Sequence, residues 1–286
     1  MRILLTFLVG ILSSSGLNAA TDSQIKDFWF NGAEISRYQL NQARYGGNHP
    51  GHVEFIFVTE PFLTEQQVKQ EFGEAPATPV LKLNALHTFN TGIYSYRTMT
   101  STFRPVDYLK YPRSLKSNTS VQDWCGQAFQ QFNRKPDGWH FELRSYFQKE
   151  GDQNRALSDA YLEDGLWVTL RLNPKALPVG PLQAIPGALY TRFAHKEVSP
   201  YKAKAELKSG PKLSTYQITY PDLSRTLKID FDTQFPHIIR SWKETSPQGI
   251  TTATLTHRIM NSTYWSEHNR TDAHKRKSLG LDPIAD

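Results

Sequence analysis

The regular spacing of strand-like segments in the second half of the chain limits its fold more than any other feature. Runs of β-branched and aromatic residues recur there about every ten residues, separated by short turn sequences such as YPD and SPQG. These runs predict strands at 188–196, 201–208, 212–220, 223–231, 237–245 and 250–260. Such even spacing is typical of an antiparallel meander in a large sheet or barrel. We therefore predict a mainly β fold of the α+β class, built on a large curved antiparallel sheet or half-barrel.

The first half of the chain contains further segments with β-forming composition or with alternating apolar residues. The strands predicted there are 34–44, 53–59, 80–83, 91–103, 139–148 and 166–172. The first of these segments fits either a strand or a short helix, and we favour the strand. The proline-rich segment 174–187 predicts a long irregular loop, or a flap over an apolar surface.

The clearest amphipathic pattern lies at 120–132, with the sequence SVQDWCGQAFQQF. At the ~100° per residue of an α-helix, its apolar residues share one stripe. They are Val121, Trp124, Cys125, Ala128, Phe129 and Phe132. Ser120 suits the N-cap position. We predict one helix at 120–132 that packs on the sheet, and minor helices elsewhere, including one at 64–72.

The first twenty residues predict export. Arg2 is followed by an apolar run from Ile3 to Leu12, and small residues at Ala19 and Ala20 suit signal peptidase. An apolar N-terminal strand is the alternative interpretation. We predict a signal peptide at 1–20 and a single β-rich domain at 21–286 that ends in a basic tail from about 264. The mature protein would lie in the periplasm or outside the cell. No later segment is long and apolar enough to cross a bilayer.

Composition narrows the classes of partner. The formal net charge is +6, which in an exported protein suits anionic lipid or polymer surfaces, or serves solubility alone. No nucleic-acid-binding motif is present, and we predict no nucleic-acid partner. The single cysteine, Cys125, cannot form an internal disulfide, so the fold must rely on its core.

Cys125 and His140 are the candidate catalytic pair. A thiol near a helix N-terminus with a histidine on a following strand is the arrangement of cysteine hydrolases, and Asp152, Asp159 or Asp164 could orient the imidazole. The alternative is that Cys125 packs in the core as a small hydrophobe, and we favour it.

No motif indicates a metal or a cofactor. The nine histidines are scattered, and His49 and His52 lie in a turn-rich segment rather than on a helix. Glu163 and Asp164 resemble a pair of catalytic acids, but they directly precede Gly165 and fit a hairpin turn better. We predict no metal site and no cofactor.

Aromatic residues are abundant, with 16 Phe, 13 Tyr and 6 Trp. A curved sheet with an apolar face, covered by a helix and a flap, could enclose an apolar cavity. The candidate ligand-binding face comprises Trp139, Phe141, Leu143, Trp124 and Phe129. An ordinary packed core between sheet and helix is the alternative.

Four segments resemble an uncharacterised family of exported bacterial proteins, some of which are labelled "septum formation inhibitor Maf". They are FWFNGAEISRYQLNQARYG, TSVQDWCGQAFQQFN, LEDGLWVTLRLNP and IPG. The resemblance implies no activity, because true Maf proteins are cytoplasmic nucleotide pyrophosphatases with a Ser-Pro-Arg-Arg motif that this chain lacks. A strand meander covered by a helix is also similar in outline to periplasmic lipoprotein carriers.

Together these observations predict an exported, non-enzymatic cell-envelope protein that binds an apolar or lipid-like ligand and has envelope proteins as partners. The alternative function is a cysteine-dependent hydrolase or acyl transferase that uses Cys125 and His140.

Overall fold

The computed structural model describes residues 17–281, so residues 1–16 of the predicted signal peptide and 282–286 of the predicted tail lie outside the described residues. The described part contains sixteen strands. They are β1 (Ala33–Arg44), β2 (Gly47–Leu63), β3 (Val68–Lys69), β4 (Thr78–Thr91), β5 (Tyr94–Pro105), β6 (Lys116–Asp123), β7 (Gly126–Lys135), β8 (Gly138–Ser145), β9 (Gln153–Ser158), β10 (Tyr161–Leu162), β11 (Gly180–Ile185), β12 (Tyr201–Lys208), β13 (Leu213–Tyr220), β14 (Arg225–Asp232), β15 (Ile239–Ser246) and β16 (Gly249–Ser262).

Three α-helices and three 3₁₀ helices are the remaining regular elements of the described residues. The α-helices are α1 (Asp22–Trp29), α2 (Glu163–Leu172) and α3 (Ala188–Ala194). The 3₁₀ helices are Pro174–Ala176, Pro221–Leu223 and Arg270–Leu279.

All sixteen strands belong to one sheet, which runs β10-β11-β12-β13-β14-β15-β16-β1-β2-β4-β5-β6-β7-β8-β9, with β3 paired to β2. The pairs are antiparallel except β10 with β11. The prediction of a large curved antiparallel sheet is confirmed. The strands β1 and β16 pair in the middle of the sheet, so the sheet consists of two meanders joined through the strands that begin and end it along the chain.

The two edges of the sheet, β9 and β10, are neighbours in sequence, and they approach each other in space. The indole Nε1 of Trp139 on β8 donates a hydrogen bond of 2.9 Å to the carbonyl of Ala160, between the two edge strands. Phe132 and Phe141 on the β9 side share a buried cluster with Leu162 and other residues of the β10 side. The curved sheet therefore surrounds an interior.

Helix α2 occupies this interior, which corrects the predicted strand at 166–172. Its apolar residues Leu166, Val168, Leu170 and Leu172 are all buried, and they belong to the main core cluster with residues of the surrounding strands. Arg171, which an amphipathic helix would turn to solvent, is completely buried. Because the helix is enclosed on nearly all sides, it lacks the polar face by which an amphipathic helix is recognised in a sequence.

The predicted helix at 120–132 is wrong: this segment is a hairpin of β6 and β7. Val121 pairs with Ala128 across it, and the turn places Asp123 Oδ1 2.7 Å from the backbone nitrogen of Cys125, which donates to it. On each strand every second residue points inward. The two runs of alternating apolar residues, separated by a short turn, imitate the spacing of a helical stripe.

Of the other predicted strands, helices and loops, some are confirmed and some are wrong. The strands 34–44, 201–208, 212–220, 223–231, 237–245 and 250–260 are confirmed within a few residues by β1 and β12 to β16. The predicted strand at 188–196 is instead α3, and the predicted helix at 64–72 is a turn followed by β3. The predicted irregular loop at 174–187 instead contains a 3₁₀ helix and the whole of β11, whose last two residues are buried.

A buried ion network fixes the C-terminal end of α2 to the sheet. The carboxylate of Glu34 on β1 is completely buried and accepts hydrogen bonds from Arg171 at 2.6 Å, Arg258 at 2.8 Å and the indole of Trp29 at 3.1 Å. Burial alone would raise the pKa of Glu34, but the two guanidinium groups outweigh burial and lower this pKa to about 2.

We expect Glu34→Gln to destabilise the protein by about 3–5 kcal/mol at pH 7, because Arg171 would stay buried without its charged partner. The pKa of Glu34 is lower in the folded chain than in the unfolded one. Its contribution to stability is therefore present above about pH 4.5 and is lost as pH falls towards 2. Urea unfolding between pH 7 and pH 3 measures the free energy of unfolding. This free energy should fall steeply with pH in the wild type and less steeply in the variant.

The matched control is Glu65→Gln, at an exposed position in the turn before β3. An equal loss of stability between pH 7 and pH 3 in the wild type and in Glu34→Gln would contradict the proposed role of the network.

Candidate functional site

A cavity of about 90 Å³ lies inside the sheet, beside the N-terminal turn of α2 and under α3. One part of its wall is apolar and comes from α2, α3 and four strands: Phe55, Leu83, Ala85, Trp167, Leu189, Leu227 and Trp242. The rings of Phe55 and Trp242 stack at 5.2 Å, and Trp167 meets Trp242 edge-on at 5.3 Å. This aromatic group forms a preformed apolar surface.

The rest of the wall carries ionisable and hydroxyl groups. They are His87, Thr100, Thr102, Glu163, Asp164, Tyr190, Arg225 and Glu244. Arg225 donates to both oxygens of Glu163, at 2.6 and 2.7 Å, and to Glu244 at 2.9 Å. Both terminal nitrogens of this guanidinium are thus engaged by carboxylates. Three carboxyl groups and one guanidinium share the cavity, so it has no free cation for an anionic ligand.

Asp164 is the least conventional acid of this group. Its carboxylate accepts a long hydrogen bond from the backbone N–H of Ala188, at 3.3 Å, and no cation forms an ion pair with it among residues 17–281. Burial and then the neighbouring charge of Glu163 raise the pKa of Asp164 to about 7. A Cβ at Gly187 would stand 2.7 Å from Glu163 Oε1, so a side chain at this position would displace the carboxylate of Glu163.

Several buried polar atoms at the cavity have no hydrogen-bond partner in the part of the chain that is described. They are Tyr190 OH, His87 Nδ1 and Arg225 Nε. Tyr190 is 5% exposed and Arg225 is 2% exposed, so bulk water does not compensate these atoms. Burial lowers the pKa of His87 to about 4, only partly opposed by the backbone at Ala85, and the imidazole is therefore neutral near pH 7. Unpartnered polar atoms on a cavity wall are suited to hydrogen-bond a ligand or ordered water.

A second cavity of about 60 Å³ adjoins the first, and His87, Leu189, Tyr190, Trp242 and Glu244 line both. The second cavity extends towards the turn between β15 and β16. Helix α3 covers this end of the interior.

The structure does not bring the predicted catalytic pair together. Cys125 is exposed in the β6–β7 turn, whereas His140 lies on β8 opposite Asn133. Eight residues of β7 separate Cys125 from Asn133, which corresponds to roughly 25 Å along a strand. The ring of His140 contacts Asn154 at 2.8 Å, and Asp152, Asp159 and Asp164 form no hydrogen bond with it. The preferred packing of Cys125 in the core is also wrong.

The predicted ligand-binding face is divided between the two sides of the sheet. Trp139, Phe141 and Leu143 alternate on the inner face of β8 and are buried in the smaller core cluster, where they pack rather than line the cavity beside α2. Trp124 and Phe129 point outward and are exposed to 70% and 39%. The correction follows from the hairpin, because Trp124 lies in its turn and Phe129 is on the outward-facing side of β7.

Metal ligands do not cluster in the described residues: no group of three or more His, Cys, Asp or Glu residues is arranged to hold an ion there. Likewise, none of the helices between residues 17 and 281 has the length and apolar character needed to span a bilayer.

Sequence reasoning missed Arg225 and assigned the two interior acids, Glu163 and Asp164, to a hairpin turn. Glu163 and Asp164 are adjacent acids before a glycine, which resembles a turn, yet they form the first turn of α2. The available signal was that an acid pair directly precedes a strongly apolar segment, because acids are favoured at a helix N-terminus.

Comparisons with known proteins found similarity at the level of structure. No protein-family model matched the chain, and no curated protein matched it. A solved structure from Brucella abortus, described as a "beta-barrel-like protein of domain of unknown function DUF1849", has a TM-score of 0.47 and 9% identity, covering 82% of this chain and 99% of that chain. The resemblance to the family labelled Maf and the outline similarity to lipoprotein carriers stay predictions.

We expect Asp164→Asn to raise the free energy of unfolding relative to the wild type at pH 8. The difference between the two proteins should be larger at pH 8 than at pH 4 by roughly 2–4 kcal/mol. The pKa of Asp164 is higher in the folded chain than in the unfolded one. Protonation of Asp164 therefore stabilises the folded wild type at low pH, and this stabilisation is lost as pH rises from about 4 through about 7. Chemical unfolding at pH 4, 6 and 8 measures the difference. A gap that does not depend on pH would contradict this electrostatic description.

We expect a thiol reagent to label Cys125 as completely in the native protein as in denaturant, because the turn exposes this residue. His140→Ala should change the native labelling rate by less than about twofold, since the strand spacing separates the two side chains. Cys125→Ser provides the blank. A large loss of labelling rate in His140→Ala would support the alternative prediction of a cysteine hydrolase.

Proposed function

We propose that the chain is an exported, non-enzymatic cell-envelope protein that binds an apolar or lipid-like ligand in the cavity beside α2. The observation that carries this proposal is the pairing of an aromatic wall with buried, unpartnered polar atoms in one cavity. Ligand sites commonly combine a mostly apolar lining with a few convergent polar groups that fix orientation.

The electrostatics of the cavity constrain the polar end of the ligand. The terminal nitrogens of Arg225 are already bonded to Glu163 and Glu244, and Asp164 adds a further acid. A carboxylate or phosphate at this place would face carboxyl groups without a free cation. We infer that the polar end is a neutral hydrogen-bonding group, which Tyr190 and His87 can bind.

The volume of the cavity limits the ligand further. The two adjoining cavities measure about 90 and 60 Å³, below the roughly 300–1,000 Å³ of sites for larger ligands. A single ring or a short alkyl segment fits this space. A longer acyl chain requires α3 to move away from the sheet.

Export rests on the predicted signal peptide, and the envelope location follows from it. No observation favours the cysteine hydrolase, whose two residues lie on separate parts of the sheet.

The experiment compares wild-type protein with Ala85→Leu, which fills the cavity, and with Ala156→Leu, the same change at an exposed position of β9. Each protein is purified from its native export pathway, extracted with organic solvent and analysed by mass spectrometry. We expect one class of amphipathic molecule in the wild type and in Ala156→Leu. Ala85→Leu should retain at least about tenfold less, because its added side chain occupies the binding volume.

Circular dichroism and the unfolding midpoint establish that Ala85→Leu is folded. Equal recovery of the molecule from both variants, or recovery of no molecule from the wild type, would refute the proposed site.

A further inference from the structure

A buried arginine without a partner lies on the other side of the first turns of α2. Arg104 occupies the inward-facing end of β5 and is 4% exposed. Its Nε has no hydrogen-bond partner, and its side chain forms no hydrogen bond or ion pair with any residue between 17 and 281. The two other arginines that are buried as deeply, Arg171 and Arg225, both have carboxylate partners at 2.6 Å.

Burial of an unpaired guanidinium is unfavourable by several kcal/mol. Here burial, and next the charge of Arg113, lower the pKa of Arg104 to about 10. Arginine hardly ever gives up its proton in proteins, so the guanidinium stays charged while its buried Nε has no partner in the described residues. A bound water or ion is a common partner for such a buried polar atom.

The guanidinium faces a cavity of about 20 Å³ that is separate from the one beside Asp164. Arg113 and the hydroxyl-bearing Ser114 line it together with Arg104, and it opens at the exposed Pro112. This volume admits about one water-sized group. It can hold one oxygen of a larger group whose remainder lies at the mouth, beside Arg113.

Arg113 is held in position at this mouth. Its guanidinium stacks on the ring of Tyr161 at 3.7 Å and lies 3.7 Å from Asp159 Oδ2. Asp159 also pairs with Arg134, at 2.6 Å. Two arginines and no acid line this cavity, and Asp159 beside it is shared between Arg113 and Arg134, so the surplus charge is positive.

The N-terminal turn of α2 adds to this potential. Its N-cap is Leu162, which provides no side-chain hydrogen bond, and Leu162, Gly165 and Leu166 line the same cavity. The free N–H groups of a helix start favour negative charge. A Cβ at Gly165 would stand 2.5 Å from Ser114 Oγ, so glycine allows the helix backbone to approach this site closely.

We propose that the cavity lined by Arg104, Arg113 and Ser114 binds an oxyanion of the phosphate type. Two guanidinium groups and a hydroxyl are the donors that such a group takes, and arginine is suited to bind it through two parallel hydrogen bonds. The bound anion supplies the partner that Arg104 lacks within the chain. This site does not depend on the function proposed above, because it lies in a different cavity of opposite charge.

The test uses the full chain, titrated with inorganic phosphate at constant ionic strength and pH. Isothermal titration and the thermal unfolding midpoint are measured for the wild type, Arg104→Met and Arg97→Met. Arg97 is an exposed arginine of the same strand and provides the matched control. We expect saturable binding and a raised midpoint in the wild type and in Arg97→Met. In Arg104→Met the dissociation constant should rise at least about tenfold.

Without phosphate, Arg104→Met should unfold at the same temperature as the wild type or a higher one, because the variant removes an unpaired buried charge. A lower midpoint for Arg104→Met, together with no effect of phosphate on the wild type, would assign Arg104 a purely structural role with a bound water. Equal stabilisation of all three proteins would show nonspecific charge screening. Either result overturns the proposal.

If Arg104→Met does not fold, Arg113→Met tests the same site from its half-exposed mouth and should weaken phosphate binding about three- to tenfold. Unchanged binding in Arg113→Met would overturn the proposal. Dihexanoyl phosphatidic acid distinguishes two sources of the oxyanion. Tighter binding than inorganic phosphate assigns a lipid headgroup, and equal binding assigns a free anion.

Ala85→Leu separates this inference from the function proposed for the cavity beside Asp164. Phosphate binding that persists in Ala85→Leu supports two independent sites. Phosphate binding lost in both Ala85→Leu and Arg104→Met would place the anion in the larger cavity and overturn this proposal.

Discussion

The position of α2 inside the sheet depends on charge compensation at both of its ends. Glu163 in its first turn is neutralised by Arg225 of β14, and Arg171 in its last turn by Glu34 of β1. All four side chains are buried, so neither end of the helix could enter the interior without its partner on the sheet. Charged pairs of this kind stabilise less than an apolar core of the same volume, but they strongly penalise any other orientation of the helix. That orientation places the cavity of about 90 Å³ and the cavity of about 20 Å³ on either side of its first turns.

The two cavities have opposite electrostatic character although they share one helix turn. The carboxyl groups of Glu163 and Asp164 face the larger cavity, whereas the smaller one is lined by Arg104 and Arg113. One helix start thus separates a region with surplus negative charge from a region with surplus positive charge. A ligand with a neutral polar group suits the first region, and an oxyanion suits the second better than the first.

The sheet can be predicted from the sequence, whereas the helix and the buried charged residues that it encloses cannot. Strands β12 to β16 are half-buried, so their alternation and turn residues are visible in the sequence. Helix α2 has no polar face because it is enclosed, and the alternation of Leu166 and Val168 then resembles a strand. The hairpin at 120–132 gives the opposite error, since a short turn shifts two alternating runs into helical spacing. Arg104 could not be identified either, because only the fold shows that its end of β5 points inward.

The pairing of β1 with β16 in the middle of the sheet has a consequence for biosynthesis. Ala33 is opposite Ser262 in this pair, so one edge of β1 stays unpaired until the chain has been made as far as Ser262. Contacts between residues so distant in sequence slow folding, and an open strand edge invites pairing with other chains. The meander β1 to β9 can assemble while synthesis continues, but the interior stays open until β16 arrives. Helper proteins that shield strand edges would therefore matter most for this chain during the interval before its C-terminal strands emerge.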